Sequence, residues 1–313
     1  MVYLTLCRVW QLNALVYRVP PHLSHYPVLI LPGFGNDAMD YVNPGDRGYH
    51  EGFLHSLRLK GLSNIEVLPI KRYEWLNILK GLFLLSFWRC ECQPSELFGF
   101  YFKAVKQKVR EMERSSGRPV LLVAHSAGGW LARGIMGDGV WVDDIDKAVD
   151  GIAGGKTDAI TTQQLIAGLI TLGAPHIPPK LKSSDMTRGA LSYVHEFYPG
   201  AYLSSPELGR IGYVSVGGSV VKGNITAARG SIEKFAGDSY YQLTGDSNMG
   251  NEFGDGLVPL SAIHLEGALQ ITLPDVWHSI NAPQNMWYGN ADVVDQWLPQ
   301  AIEHLQQQSA KLV

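Results

Sequence analysis

Apolar and polar positions along the chain alternate between two rhythms. Apolar-rich runs stand at Tyr26-Pro-Val-Leu-Ile-Leu31, Ile65-Glu-Val-Leu-Pro69, Val120-Leu-Leu-Val123, Leu165 to Leu172, Ile211-Gly-Tyr-Val-Ser-Val-Gly217 and Leu269-Gln-Ile-Thr-Leu273. All read as strands, and the unbroken runs at Tyr26–Leu31 and Val120–Val123 predict strands buried on both faces. Between them lie stretches with helical spacing. Phe53, Leu54, Leu57 and Leu59 form a short apolar face, Glu96 to Arg114 carries a Lys/Arg face and stops at Ser115-Ser-Gly-Arg-Pro119, and Val293 to Gln307 closes the chain. Strand and helix in alternation predict a mostly parallel sheet covered on both sides by helices. Residues 1–26 read as a lead-in, with Leu12, Leu15, Val16 and Val19 spaced for a short helix that Pro20-Pro21 ends.

Two segments depart from this rhythm. Tyr73 to Phe102 carries apolar residues on nearly every face, among them Trp75, Leu76, Leu79, Leu82, Phe83, Leu85 and Trp88. It reads either as a helix buried between body and cap or as a flap over a greasy pocket that touches lipid. Residues 177–210 mix Pro, Ser and aromatics irregularly. The expected organisation is a single domain over 1–313, with 73–102 and 177–210 covering a pocket.

The sharpest local signal is Val120-Leu-Leu-Val-Ala-His-Ser-Ala-Gly-Gly-Trp-Leu-Ala-Arg133. A buried strand turns here into a helix within one or two residues. Such a bend strains the apex and needs small neighbours, and positions 124, 127, 128 and 129 are Ala, Ala, Gly and Gly. The apex hydroxyl, Ser126, then points out of the sheet with a helix behind it.

The arrangement resembles the nucleophile elbow of the α/β-hydrolase superfamily, Gly-x-Ser-x-Gly, with Ala124 at the first small position. The resemblance extends to Leu172-Gly-Ala-Pro-His176, Gly254-Asp-Gly-Leu-Val-Pro259 and Trp277-His-Ser279. It covers roughly residues 28–305 and is nearest to lipase- and esterase-like members, including plastid or cyanobacterial lipase-like and inositol-deacylase-like proteins. It implies the α/β-hydrolase fold with an inserted cap, and a Ser-His-Asp triad. In chain order the nucleophile is Ser126, the acid Asp255 and the base His278. Asp238 and Asp246 stand as alternative acids, and His264 and His304 as alternative bases. The loop Pro32-Gly-Phe-Gly-Asn36 follows a strand in the place that donates one oxyanion-hole amide. The hole is therefore assigned to the amides of Phe34 and Ala127. His176 falls between nucleophile and acid and is read as a wall residue with a structural role.

Composition narrows the choice. A net charge of −3 with no Lys/Arg run gives no field for nucleic acid. Three Cys, at 7, 90 and 92, make no disulfide framework and no zinc-ligand spacing, so no metal is expected and the compartment is read as reducing. Gly151-Ile-Ala-Gly-Gly-Lys-Thr157 lacks the Gly that a phosphate loop needs at 150, where Asp150 stands. The most hydrophobic stretch, Leu76 to Trp88, is shorter than a membrane span. The expectation is a cofactor-free serine carboxylic-ester hydrolase acting on a small-molecule or lipid ester with a hydrophobic acyl group. It would be intracellular, cytoplasmic or plastid, with peripheral lipid contact along 73–102. Acyl transfer or thioester hydrolysis on the same triad, and a non-catalytic binding protein of the same fold, are the alternatives.

Overall fold

The structure is a computed structural model that describes residues 17–141, 160–182, 185–208 and 210–308. The helix expected from Leu12 lies mostly outside these residues, as do Cys7 and the Gly-rich stretch 151–157. Val19, which is described, is not helical.

The apolar runs form strands β1 (Val28–Leu31), β2 (Ile65–Val67), β3 (Val120–His125), β4 (Ile166–Leu172) and β5 (Gly212–Gly218). After a short antiparallel pair, β6 (Val221–Lys222) and β7 (Phe253–Gly254), comes β8 (Leu269–Leu273). Six of them make one sheet in the order β2-β1-β3-β4-β5-β8. Every neighbouring pair is parallel. With helices on both faces, this is the mostly parallel, doubly covered sheet that the α/β-hydrolase resemblance implies.

Alternate residues along each strand feed two separate cores. Leu29, Leu31, Leu122 and Ala124 face one layer, with α3 (Pro94–Ser116) and α4 (Ala127–Asp138) packed on it. Val28, Ile30, Leu121, Val123, Val214 and Val216 face the other, covered by α1 (Phe53–Leu59) and the C-terminal helix Ala291–Gln308. Burial on both faces explains why β1, β3, β4 and β5 show little polar alternation, whereas the edge strand β8 alternates, burying Ile271 and Leu273 and exposing Gln270 and Thr272.

The strand order also locates the site. From β1 the chain moves outward to β2, then returns to the other side of β1 to form β3. The carboxyl ends of β1 and β3 therefore flank a reversal in strand order. In open α/β sheets such a point leaves a crevice that takes ligands.

Residues 72–102 do not form one helix. A 3-10 stretch, Arg72–Phe83, leads to the five-residue helix α2, Leu85–Arg89, and α3 begins at Pro94. Trp75 and Phe87 turn inward and are buried. Tyr73, Leu76, Leu79, Leu82, Phe83, Leu85 and Trp88 all face outward, with Phe83 90% exposed. The all-round apolar pattern thus divides into an inner edge and an uncovered outer ridge. In 177–210, the helix Ala190–Phe197 packs Leu191 and Val194 into the first core layer. Among the described residues no helix is long and apolar enough to cross a membrane. Cys90 and Cys92 are free and buried.

Candidate active site

Ser126 sits between the end of β3 and the first residue of α4, with φ 52° and ψ −129°. That backbone is strained for a residue with a Cβ. It is held because the turn is locked on both sides. Ser126 N–H donates to Leu172 O at 2.9 Å, and Gly129 N–H donates to Ser126 O at 2.9 Å. A Cβ on Gly129 would lie 2.4 Å from the Ala174 Cβ, so α4 can approach β4 this closely only with Gly there. The conformation lifts the Ser126 side chain out of the sheet, and the N-terminus of α4 points its dipole at the same spot.

The remote residues named from chain order lie together here. His278 Nε2 is 2.9 Å from Ser126 Oγ, and His278 Nδ1 is 2.7 Å from Asp255 Oδ2. Asp255 is 1% exposed, yet all its acceptor capacity is directed. Its Oδ1 accepts the amides of Leu257 at 3.1 Å and Val258 at 2.8 Å. Its Oδ2 accepts the Tyr288 hydroxyl at 2.8 Å as well as the His278 ring N–H. The main chains are joined too, His278 N–H donating to Asp255 O at 2.8 Å. β7 ends one residue before Asp255, so the β6–β7 pair anchors the acid loop.

Phe34 and Ala127 flank Ser126 on the cavity wall. Among the described residues neither backbone amide donates a hydrogen bond within the protein, so both are available to an incoming oxygen. The loop of Phe34 is itself pinned. Arg72 Nε donates to Gly35 O at 3.1 Å, Trp75 Nε1 donates to Asn36 O at 3.0 Å, and the Phe34 ring meets Trp75 edge-on at 5.2 Å.

The alternatives are engaged elsewhere. Asp238 pairs with Lys234 one helical turn away, and Asp246 pairs with Lys180 at 2.6 Å. His264 Nε2 contacts Thr272 Oγ1 at 2.9 Å, and His304 lies on the C-terminal helix. His176 is fully buried against Thr171 and the Arg133 guanidinium. Burial and that cation hold its ring well below the usual imidazole range, so it stays neutral.

The cavity above Ser126 has a volume of about 530 Å³. Its lining includes the apolar Phe98, Trp130, Leu243, Leu257 and Val258, together with the polar Asn36, Asp40, Arg72 and Asn281. Both segments expected to cover a pocket reach its wall, the first through Ile78 and Phe98, the second through Met186 and Thr187. Among the described residues no cluster of His, Cys, Asp or Glu is arranged to hold a metal.

Three contributors were not apparent from sequence. Tyr288 donates to Asp255 Oδ2 while its oxygen accepts Gly218 N–H at 2.8 Å. Gly173, at φ 60°, lies so close that a Cβ would fall 2.7 Å from Asp255 Oδ2 and 3.0 Å from His278 Nδ1. Tyr41 lies under the Phe34 loop, accepting Gly33 N–H at 2.9 Å. Tyr41 and Tyr288 stand in polar or mixed stretches with no local pattern to mark them. The Gly after a strand end was the one legible signal.

No family model matches the chain, and no curated protein matches it. Among solved structures it is similar to the mature lipase BlEst2 of Bacillus licheniformis, at 15% identity and TM-score 0.49, covering 92% of this chain and 95% of that one. It is similar to the lipase of Staphylococcus hyicus at 14% identity and TM-score 0.48, covering 90% and 95%. It is also similar to the phospholipase PlaB of Legionella pneumophila at 13% identity and TM-score 0.48, covering 92% of this chain and 61% of that one. At these identities the likeness is one of chain path.

Proposed function

We propose that the protein is a serine carboxylic-ester hydrolase that cleaves esters with a hydrophobic acyl group. One observation carries the reading: an unbroken hydrogen-bonded line from buried Asp255 through His278 to Ser126 Oγ, which opens into a largely apolar cavity.

The chemistry follows from the atoms. Serine is a poor nucleophile until a base takes its proton. Asp255 accepts the Nδ1 proton of His278, which leaves Nε2 as the acceptor facing Ser126 Oγ. As Oγ bonds to the ester carbonyl carbon, its proton passes to Nε2 and the carbonyl electrons move onto oxygen. The carboxylate stabilises the imidazolium so formed. The amides of Phe34 and Ala127 receive the oxyanion, an effect typically of about 3 kcal/mol per donor. Collapse expels the alcohol, which takes the Nε2 proton and leaves the acyl group on Oγ. Water repeats the sequence with His278 again as base, and the acid leaves.

The lining supports an assignment of ends. Phe98, Trp130, Leu243 and Leu257 suit the acyl chain, and Asn36, Asp40, Arg72 and Asn281 suit a polar alcohol. The outer ridge from Tyr73 to Trp88 runs from the cavity wall, which Arg72 and Ile78 line. Its uncovered apolar groups fit contact with a lipid surface. Hydrolysis is favoured over simple ligand binding because a binding protein has no use for a strained serine joined to a buried acid.

A fluorophosphonate probe followed by intact-mass measurement tests this. One probe adduct per chain is expected, absent in Ser126→Ala, with p-nitrophenyl ester turnover lost in parallel. A folded wild-type protein that takes up no probe refutes the proposal.

A further inference from the structure

His125 is 2% exposed, directly before the reactive serine, and polar on both ring nitrogens. A buried imidazole at the end of a core strand needs a reason, because an apolar residue would pack there without partners to satisfy. Its hydrogen bonds define one. Nε2 lies 3.0 Å from the main-chain oxygen of His278, which can only accept, so Nε2 carries the proton. Nδ1 lies 2.9 Å from the Tyr41 hydroxyl. The Tyr41 oxygen already accepts Gly33 N–H at 2.9 Å and Asn36 Nδ2 at 3.0 Å. Its two lone pairs are occupied, so its own proton points to His125 Nδ1. Two independent constraints, one at each nitrogen, thus select the same neutral tautomer. Burial, then the neighbouring His278, lowers the ring's proton affinity to a pKa of about 3, which agrees with that assignment.

The chain of bonds joins the two halves of the site. It starts at the amide of Gly33 and the side chain of Asn36, which bracket Phe34. It passes through Tyr41 to His125, and ends on the backbone of His278. We infer that His125 and Tyr41 form a positioning pair that sets the oxyanion loop and the catalytic imidazole in register across Ser126. The inference rests on the hydrolase reading above. Neither residue supplies a proton to the reaction. Each bond holds a loop that bears a reacting group, so a slack link separates the Phe34 amide from the position where the oxygen develops. Misplacement on the scale of 1 Å lowers rates by about two orders of magnitude.

The test uses Tyr41→Phe, His125→Phe and the double variant, each measured with a fluorophosphonate probe over a range of concentrations. The maximal labelling rate is expected to fall at least tenfold in each single variant. In Tyr41→Phe the half-saturating probe concentration should stay within twofold, because Tyr41 does not line the cavity, whereas His125 does. The double variant should be no slower than the slower single one, since both remove the same link. A purely packing role would lower the melting temperature and leave the maximal rate unchanged at 20 °C, which overturns the inference. Nitrogen-15 NMR of the unaltered protein gives a readout that survives misfolded variants. A His125 ring protonated at Nε2 and bare at Nδ1 is expected, and the opposite tautomer overturns it. Wild-type protein that takes no probe overturns the hydrolase reading and this role with it. Normal wild-type labelling with an undiminished Tyr41→Phe rate overturns this role alone.

Discussion

Gly173→Ala places a single methyl group behind the acid–base pair. Gly173 follows β4 directly, with φ 60° and its amide bound to Val216 O at 2.9 Å, so its backbone cannot swing away cheaply. The new Cβ would stand 2.7 Å from Asp255 Oδ2, 2.8 Å from the Tyr288 ring and 3.0 Å from His278 Nδ1. An ordinary contact is roughly 3.5 Å, so these groups must retreat by about 0.5–0.8 Å. Left-handed backbone in a residue with a Cβ adds about 1–2 kcal/mol, and overpacking a rigid core adds about 1–3 kcal/mol. A stability loss of about 2–5 kcal/mol is therefore expected. Displacement of the Asp255–His278 contact should lower ester turnover by roughly 10- to 100-fold. Gly117→Ala separates the two effects. Gly117 has φ 66° at the end of α3 and nothing within 4 Å of its would-be Cβ. It should lose only the backbone part, about 1–2 kcal/mol, and keep full turnover. Urea melts and p-nitrophenyl ester assays on both variants decide the matter. A folded Gly173→Ala protein turning over within twofold of wild type would refute the crowding argument.

Asp255→Asn should fold and lose most turnover, because an amide no longer fixes the His278 tautomer; unchanged turnover in steady-state assays would remove Asp255 from the site. His125 and His176 are both buried and neutral, with proton affinities far below the unfolded imidazole value of 6.5. Each is expected to be protonated only after unfolding as pH falls below 6.5, and for His125 this continues to about pH 3. Stability should therefore be fully present above pH 6.5 and fall by about 1.4 kcal/mol per pH unit for each ring below it. Denaturant melts at pH 7, 6 and 5 check this, and His125→Phe should lower the slope by about 1.4 kcal/mol per pH unit. Phe83→Ser with Trp88→Ser should weaken sedimentation with phospholipid vesicles several-fold, with hydrolysis of a soluble short-chain ester unchanged.

The sequence carried those features that depend on local order. The four inner strands could be read because double-sided burial leaves apolar runs, the edge strands β2 and β8 from shorter mixed runs, and all their ends fall within about two residues of the observed ones. The elbow was legible because a strand, a tight apex and a helix follow one another within fourteen residues, Val120 to Arg133. Asp255 and His278 could be named only through chain order and a family resemblance, and the structure brings both to Ser126. What escaped was set by distance along the chain. Tyr41 meets His125 across 84 positions, and Tyr288 meets Asp255 across 33, so no spacing rule links them. The segment from 73 to 102 failed for a different reason. Hydrophobicity on every face says that the outside is greasy, but not whether anything covers it.

The unfavourable torsion angles at position 126 bear on how durable the protein can be. A residue without a side chain would relax there, so Ser126→Gly should melt above the wild-type protein even though it removes the proposed nucleophile. Selection for robustness and selection for reactivity then pull this position in opposite directions. A lineage released from the need for the reaction would gain toughness by giving up that one hydroxymethyl group.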